Sequence, residues 1–97
     1  APDKPAAPAA AAADPEVDAA MKAADDAWVH GQYSDVVAKT QQILKKSPNN
    51  TRAWRLYGAS QCALKEADGA RQAWNHLGNI ERKFLQYMCN RSNITLP

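Results

Sequence analysis

The sequence predicts an all-α fold, and three observations carry that expectation. Apolar residues recur at three- and four-residue intervals in segment after segment. Those segments are divided by compact turn signals such as His30-Gly31, Ser47-Pro48-Asn49-Asn50 and Gly78-Asn79. No stretch shows the apolar–polar alternation between hairpin turns that would mark a strand.

Each element follows from its own residues. Of the first 13 positions eight are Ala and three are Pro, with no Leu, Ile, Val or aromatic. Such a stretch buries too little apolar surface to offset its ordering entropy, so residues 1–15 are expected to be a disordered linker and 16–97 a helical domain. Asp14-Pro15-Glu16 is a helix start, with a capping Asp, a Pro in the first turn and an acid at the positive end of the dipole. That helix is expected to run to His30, with Gly31 in a left-handed cap. Ser34-Asp35 opens a second helix with Val36, Val37, Thr40, Ile43 and Leu44 on one face. After Pro48 and two asparagines, Thr51 is placed to cap a third, roughly Arg52 to Lys65. A fourth is expected from Asp68 to Leu77, with Ala70, Ala73, Trp74 and Leu77 together. A fifth follows Gly78-Asn79, where Ile80, Phe84 and Met88 recur every four residues and are expected to face the core.

Long helix, tight turn, helix and Pro-Asn turn then recur, which points to an internal repeat. A shift of 34 residues places Ala20 on Trp54, Ala23 on Tyr57, Ala24 on Gly58, Val36 on Ala70, Thr40 on Trp74 and Ile43 on Leu77. The match is one of size and polarity more than identity. Trp54, Tyr57-Gly58, Ala70-x-x-x-Trp74 and Pro48 stand where the tetratricopeptide pattern has Trp, Leu-Gly, Ala-x-x-x-Phe and Pro, and the sequence resembles that family. The resemblance covers residues 17–50 and 51–78, with a cap helix over 79–90 and a tail over 91–97. It implies two helix-turn-helix units stacked as a short right-handed superhelix under a fifth, capping helix. Packing physics agrees, because small Ala24 and Gly58 allow close helix approach while Trp54, Tyr57 and Trp74 fill the space between layers. Gly58 costs about 1 kcal/mol inside a helix relative to Ala, which points to a packing reason for it. The second unit departs from the pattern at its end, where Gly78-Asn79 arrives early. Ile94 and Leu96 are expected either to fold back on the cap or to belong to a disordered tail.

Composition excludes more than it assigns. The chain has 97 residues, a net charge of +2 and 23% charged residues of both signs, without the dense basic stripe of a nucleic-acid binder. No apolar run approaches the roughly 18 residues of a membrane span. His30, His76, Cys62 and Cys89 lack the close ligand spacing of a metal site, no Gly-rich phosphate loop occurs, and Asp25-Asp26 points its carboxylates in different directions. The expectation is a non-enzyme with no metal and no cofactor. Three Asn-x-Ser/Thr sequons occur, at Asn49, Asn90 and Asn93; the first is explained by turn and cap chemistry, and glycosylation is not expected.

What the resemblance implies instead is protein binding, in a concave groove lined by the first helix of each repeat. The groove positions fall on Asp18, Met21, Asp25, Trp28 and Val29, then on Arg52, Arg55, Ala59, Cys62 and Ala63. Arg52 and Arg55, one turn apart, are candidates for holding a carboxylate, and Trp28 for an apolar anchor. The family's carboxylate-clamp subgroup uses Lys and Asn, and Met21, Asp25, Arg55 and Ala59 do not reproduce that set. The alternative is a C-terminal assembly or dimerisation domain of a larger envelope or signalling protein, joined by the Ala/Pro linker, with self-association through the groove.

The resemblance also bears on the cysteines. In that fold the first helix of a repeat and the helix capping it run side by side, and Cys62 and Cys89 each lie about ten residues, or about 15 Å, from their helix starts. A bridge between them would place the domain in an oxidising compartment such as a bacterial periplasm. Otherwise both are reduced, small buried residues of a cytoplasmic helical domain.

Overall fold

The computed structural model describes residues 15–96, which form five α-helices and, among themselves, no strand. They are α1 (Pro15–Val29), α2 (Tyr33–Lys46), α3 (Thr51–Ala63), α4 (Ala67–Trp74) and α5 (Asn79–Arg91). Fourteen residues of the expected linker, 1–14, lie outside the described part. Pro15 does not belong to a linker; it is the first residue of α1, where a fixed φ and a missing N–H suit the opening turn.

Helix boundaries shift where local hydrogen bonds decide them. Asn50, not Thr51, caps α3, its side-chain oxygen accepting from the Ala53 N–H at 3.1 Å. α2 opens one residue early, at Tyr33, with Gln32 at its N-cap position and no side-chain cap. α4 stops at Trp74, a turn before the expected Leu77. There the Arg82 Nε donates to the Trp74 carbonyl at 3.0 Å and its guanidinium lies 5.0 Å from the Trp74 ring, so α5 closes the end of α4.

One cap recurs at the ends of α1, α3 and α5. Gly31, Lys65 and Asn93 take left-handed φ values of 71°, 66° and 63°. Each donates its N–H to a carbonyl three residues back: Trp28, Cys62 and Asn90. The residue after each donates five back, as Gln32 to Ala27, Glu66 to Gln61 and Ile94 to Cys89, at 2.8–2.9 Å. These are three Schellman motifs. The first two are 34 residues apart and the last two 28, and the missing six match the shortening from the 14 residues of α2 to the 8 of α4. The repeat is thus written in backbone geometry as well as in residue pattern.

Packing follows the same order. α3 touches α1 on one side and α5 on the other, α2 packs on α1 and α3, and α4 packs on α3 and α5, while α2 and α4 do not meet. This is a helical-repeat arrangement, with α1, α3 and α5 in one layer. α3 lies at the centre and buries eight residues: Ala53 and Leu56 join α1 and α2, whereas Trp54, Tyr57, Ala59 and Cys62 join α4, α5 and the tail. Trp54 ties both inter-repeat turns to this core. Its Nε1 donates to the Pro48 carbonyl at 2.7 Å, and its ring stacks on His76 with centroids 4.0 Å apart. Ala24 is fully buried. A Cβ on Gly58 would stand 2.7 Å from the Ala73 Cβ and 2.9 Å from a Leu85 methyl, which is the packing reason for glycine in mid-helix.

α5 corrects one sequence expectation. Ile80, Phe84 and Met88 do not form its buried row. Ile80 is 79% exposed and Phe84 36%, and Met88 is half-buried, while Leu85 and Cys89 are fully buried. The cause is a pair of fixed contacts: Leu85 fills the hollow over Gly58, and Cys89 is bonded to Cys62. Together they set the roll of α5 and turn Ile80 and Phe84 outward. The tail folds back, with Leu96 buried, Ile94 half-buried and the Lys65 ammonium donating to the Ser92 carbonyl at 2.7 Å.

Candidate partner-binding groove

The α1–α3–α5 layer is the surface on which the candidate residues fall, and α3 positions most of them. Asp25 of α1 and Arg52 of α3 form an ion pair between neighbouring helices, both partly exposed. Arg52 therefore meets a carboxylate of its own chain. Arg55, one turn further along, is half-buried and lies with its guanidinium 5.4 Å from the centre of the Phe84 ring of α5. The two arginines do not converge on one point: Arg52 ties α3 to α1, and Arg55 reaches α5.

The remaining candidates divide by burial. Met21 and Ala59 are buried, at 7% and 1% exposure, and act as packing beneath the surface. Trp28 is half-buried, edge-on to Tyr33 at 5.4 Å and in contact with both halves of the core, so it joins α1 to the start of α2. Asp18 and Val29 stand exposed on α1, and Ala63 is half-buried near the end of α3. Cys62 and Cys89 form a fully buried disulfide, with Cα atoms 5.0 Å apart and a sequence separation of 27. The bridge joins α3 to α5, about two turns further along α3 than the Arg55–Phe84 contact.

Two residues expected in the core, Ile80 and Phe84, complete the surface together with Tyr87. Ile80, Phe84 and Tyr87 recur at four- and three-residue spacing along the outer side of α5, with Tyr87 62% exposed. Arg91 lies one turn beyond, its guanidinium 5.9 Å from the Tyr87 ring. A signal for this row existed in the sequence, since Leu85 and Cys89 form a competing four-residue row on the same helix. Periodicity alone does not choose between two such rows.

Charge is unevenly distributed over the layer. α1 carries Glu16, Asp18, Asp25 and Asp26 against Lys22, whereas α3 carries Arg52 and Arg55 with no acid. α5 carries Arg82, Lys83 and Arg91 against Glu81. Among the described residues no helix is long and apolar enough to cross a membrane. The histidines are engaged separately, His30 with its Nδ1 2.8 Å from the Asp26 carbonyl and His76 on Trp54. Among the described residues, no three metal-ligating side chains cluster.

No protein-family model matches the chain, and no solved structure matches it. Among curated proteins, it is 30% identical over 66 residues to Superkiller complex protein 3 of Homo sapiens, and equally to the protein of that name from Mus musculus. The aligned stretch is 68% of this chain and 4% of each relative, so the chain spans a small part of the length of the curated relatives it matches.

Proposed function

We propose that the chain is a non-catalytic protein-interaction module of the tetratricopeptide type, which receives a peptide or a partner's helix on its α1–α3–α5 layer. The observation that carries this reading is the Schellman cap repeated at Gly31, Lys65 and Asn93, which makes α1, α3 and α5 equivalent first helices presented side by side. In a helical repeat, equivalent helices of successive units line one continuous surface. The likeness to two proteins whose name describes a component of a complex supports protein partners. Arg55, Phe84 and the Asp25–Arg52 pair are the polar and aromatic groups presented there. The buried Cys62–Cys89 bridge supports an oxidising compartment, such as a periplasm, as the place of work.

The test is selection of binders from a random peptide display library on the wild-type chain, with the selected peptides mapped by amide chemical shifts. Shifts confined to α1, α3 and α5, and enrichment lost in an Arg52→Glu/Arg55→Glu variant that still folds, are the expected results. Shifts confined to α2 and α4, or no enrichment above an unrelated helical protein, would overturn the proposal.

A further inference from the structure

We infer that the outer side of α5 is the docking strip for an acidic amphipathic helix of another protein, a conclusion that rests on the interaction-module reading and specifies its partner. Four observations meet there. Ile80, Phe84 and Tyr87 form an apolar row along about 10 Å of helix, two turns, which is the length over which a partner helix presents positions i, i+4 and i+7. The row is exposed although the same helix buries Leu85 and Cys89 fully, so the disulfide and the Gly58–Leu85 contact hold it outward.

The third observation concerns the arginines. Arg52 and Arg71 are paired with Asp25 and Asp68, and Arg82 is bonded to the Trp74 carbonyl. Arg55 and Arg91 have no acid partner among the described residues, and both guanidiniums lie over rings of the row, on Phe84 and Tyr87. A guanidinium beside an aromatic ring leaves N–H groups available, so both are set to receive carboxylates beside an apolar contact. The fourth observation selects the occupant. α3 and α5 together carry five basic side chains against Glu81, so a partner with acids flanking its apolar positions is complementary. A second copy docking α5 on α5 would set Lys83 and Arg91 against their own kind, which disfavours it.

The experiment uses the full chain and three designed helical peptides of about 14 residues. One has Leu at i, i+4 and i+7 flanked by Glu; the second replaces Glu by Lys; the third keeps Glu and replaces Leu by Gln. Fluorescence anisotropy should show saturable binding of the first at on the order of 10–100 µM, and binding at least tenfold weaker for the other two. Ile80→Ser/Tyr87→Ser alters only exposed side chains and should weaken the first peptide at least tenfold, with the melting temperature unchanged. Arg55→Glu/Arg91→Glu should reverse the preference between the Glu and Lys peptides.

Equal binding of the Lys peptide, with shifts still on α3 and α5, would overturn the acidic partner while leaving the module reading intact. Shifts on α2 and α4 would overturn both. No binding of the Glu peptide at about 1 mM would remove the docking strip, and the display selection would then stand alone as the test of the module. Light scattering that shows a dimer abolished by Ile80→Ser/Tyr87→Ser would assign the strip to a second copy instead.

Discussion

Gly58 and Ser60, two residues apart on α3, illustrate opposite side-chain demands. At Gly58 a single added methyl would meet the Ala73 Cβ at 2.7 Å, an atom fixed to its backbone, so α4 would have to move. Gly58→Ala is expected to lower stability by about 1–3 kcal/mol despite the better helix propensity of Ala, as overpacking outweighs roughly 1 kcal/mol of backbone preference. Ala24→Leu, at the equivalent and fully buried site on α1, should act in the same direction. Ser60 is also fully buried, and its hydroxyl has no hydrogen-bond partner among the described residues. Ser60→Ala keeps the Cβ and removes the unpaired polar atom, so it should raise stability by about 1 kcal/mol. Thermal melts of the three variants check both signs, and a Gly58→Ala protein as stable as the wild type would contradict the close approach of α3 to α4.

The recurring helix ends set the geometry of the elements. Gly31, Lys65 and Asn93 occupy equivalent left-handed positions, but only the first is a glycine. A Cβ at Gly31 would meet nothing within 4 Å, so Gly31→Ala costs stability through φ alone, about 1 kcal/mol. Lys65→Gly should do the reverse, gaining roughly 0.5 kcal/mol after the added unfolded-state entropy and the loss of the exposed contact to Ser92. Denaturant midpoints should therefore move in opposite directions for substitutions at the same place in two successive repeats. Movement in one direction would show that the two turns are not equivalent.

For the whole molecule, the disulfide matters most where the packing is thinnest. Among the described residues α5 has only α3 and α4 as helical neighbours, and the Cys62–Cys89 bond fixes it to the central helix. Closing a 27-residue loop restricts the unfolded chain by roughly 3 kcal/mol. The Cys62→Ser/Cys89→Ser variant should lose about that much, with the loss concentrated in α5. Amide exchange is expected to quicken over residues 79–96 first, while α1 and α2 keep their protection. Uniform loss of protection in all five helices would mean that α5 folds as one unit with the rest. Because the bridge also sets the roll of α5, the variant should show weaker docking to the Ile80–Phe84–Tyr87 row than its residual stability alone explains.

Much of this fold was legible in the residues, because helix identity depends on local chemistry. The three- and four-residue spacing of Val36, Thr40 and Ile43, the Gly31 cap and the Pro48-Asn49-Asn50 turn act within a few residues of chain, so five helices in the observed order follow from the sequence. The 34-residue register pairs Gly58 with Ala24, two small residues that mark a close helix approach. Boundaries were less legible, since Asn50 and Thr51 both have the chemistry of a cap and only backbone register picks one. The roll of α5 was not legible at all. Ile80-Phe84-Met88 and Leu85-Cys89 have the same spacing, and a helix in isolation has no preference between them. Gly58 and Cys62, about 27 residues earlier in the chain, decide it by offering a hollow and a sulfur to one row. The surface proposed for binding exists because the other row lost that competition, and only the packed structure holds that information.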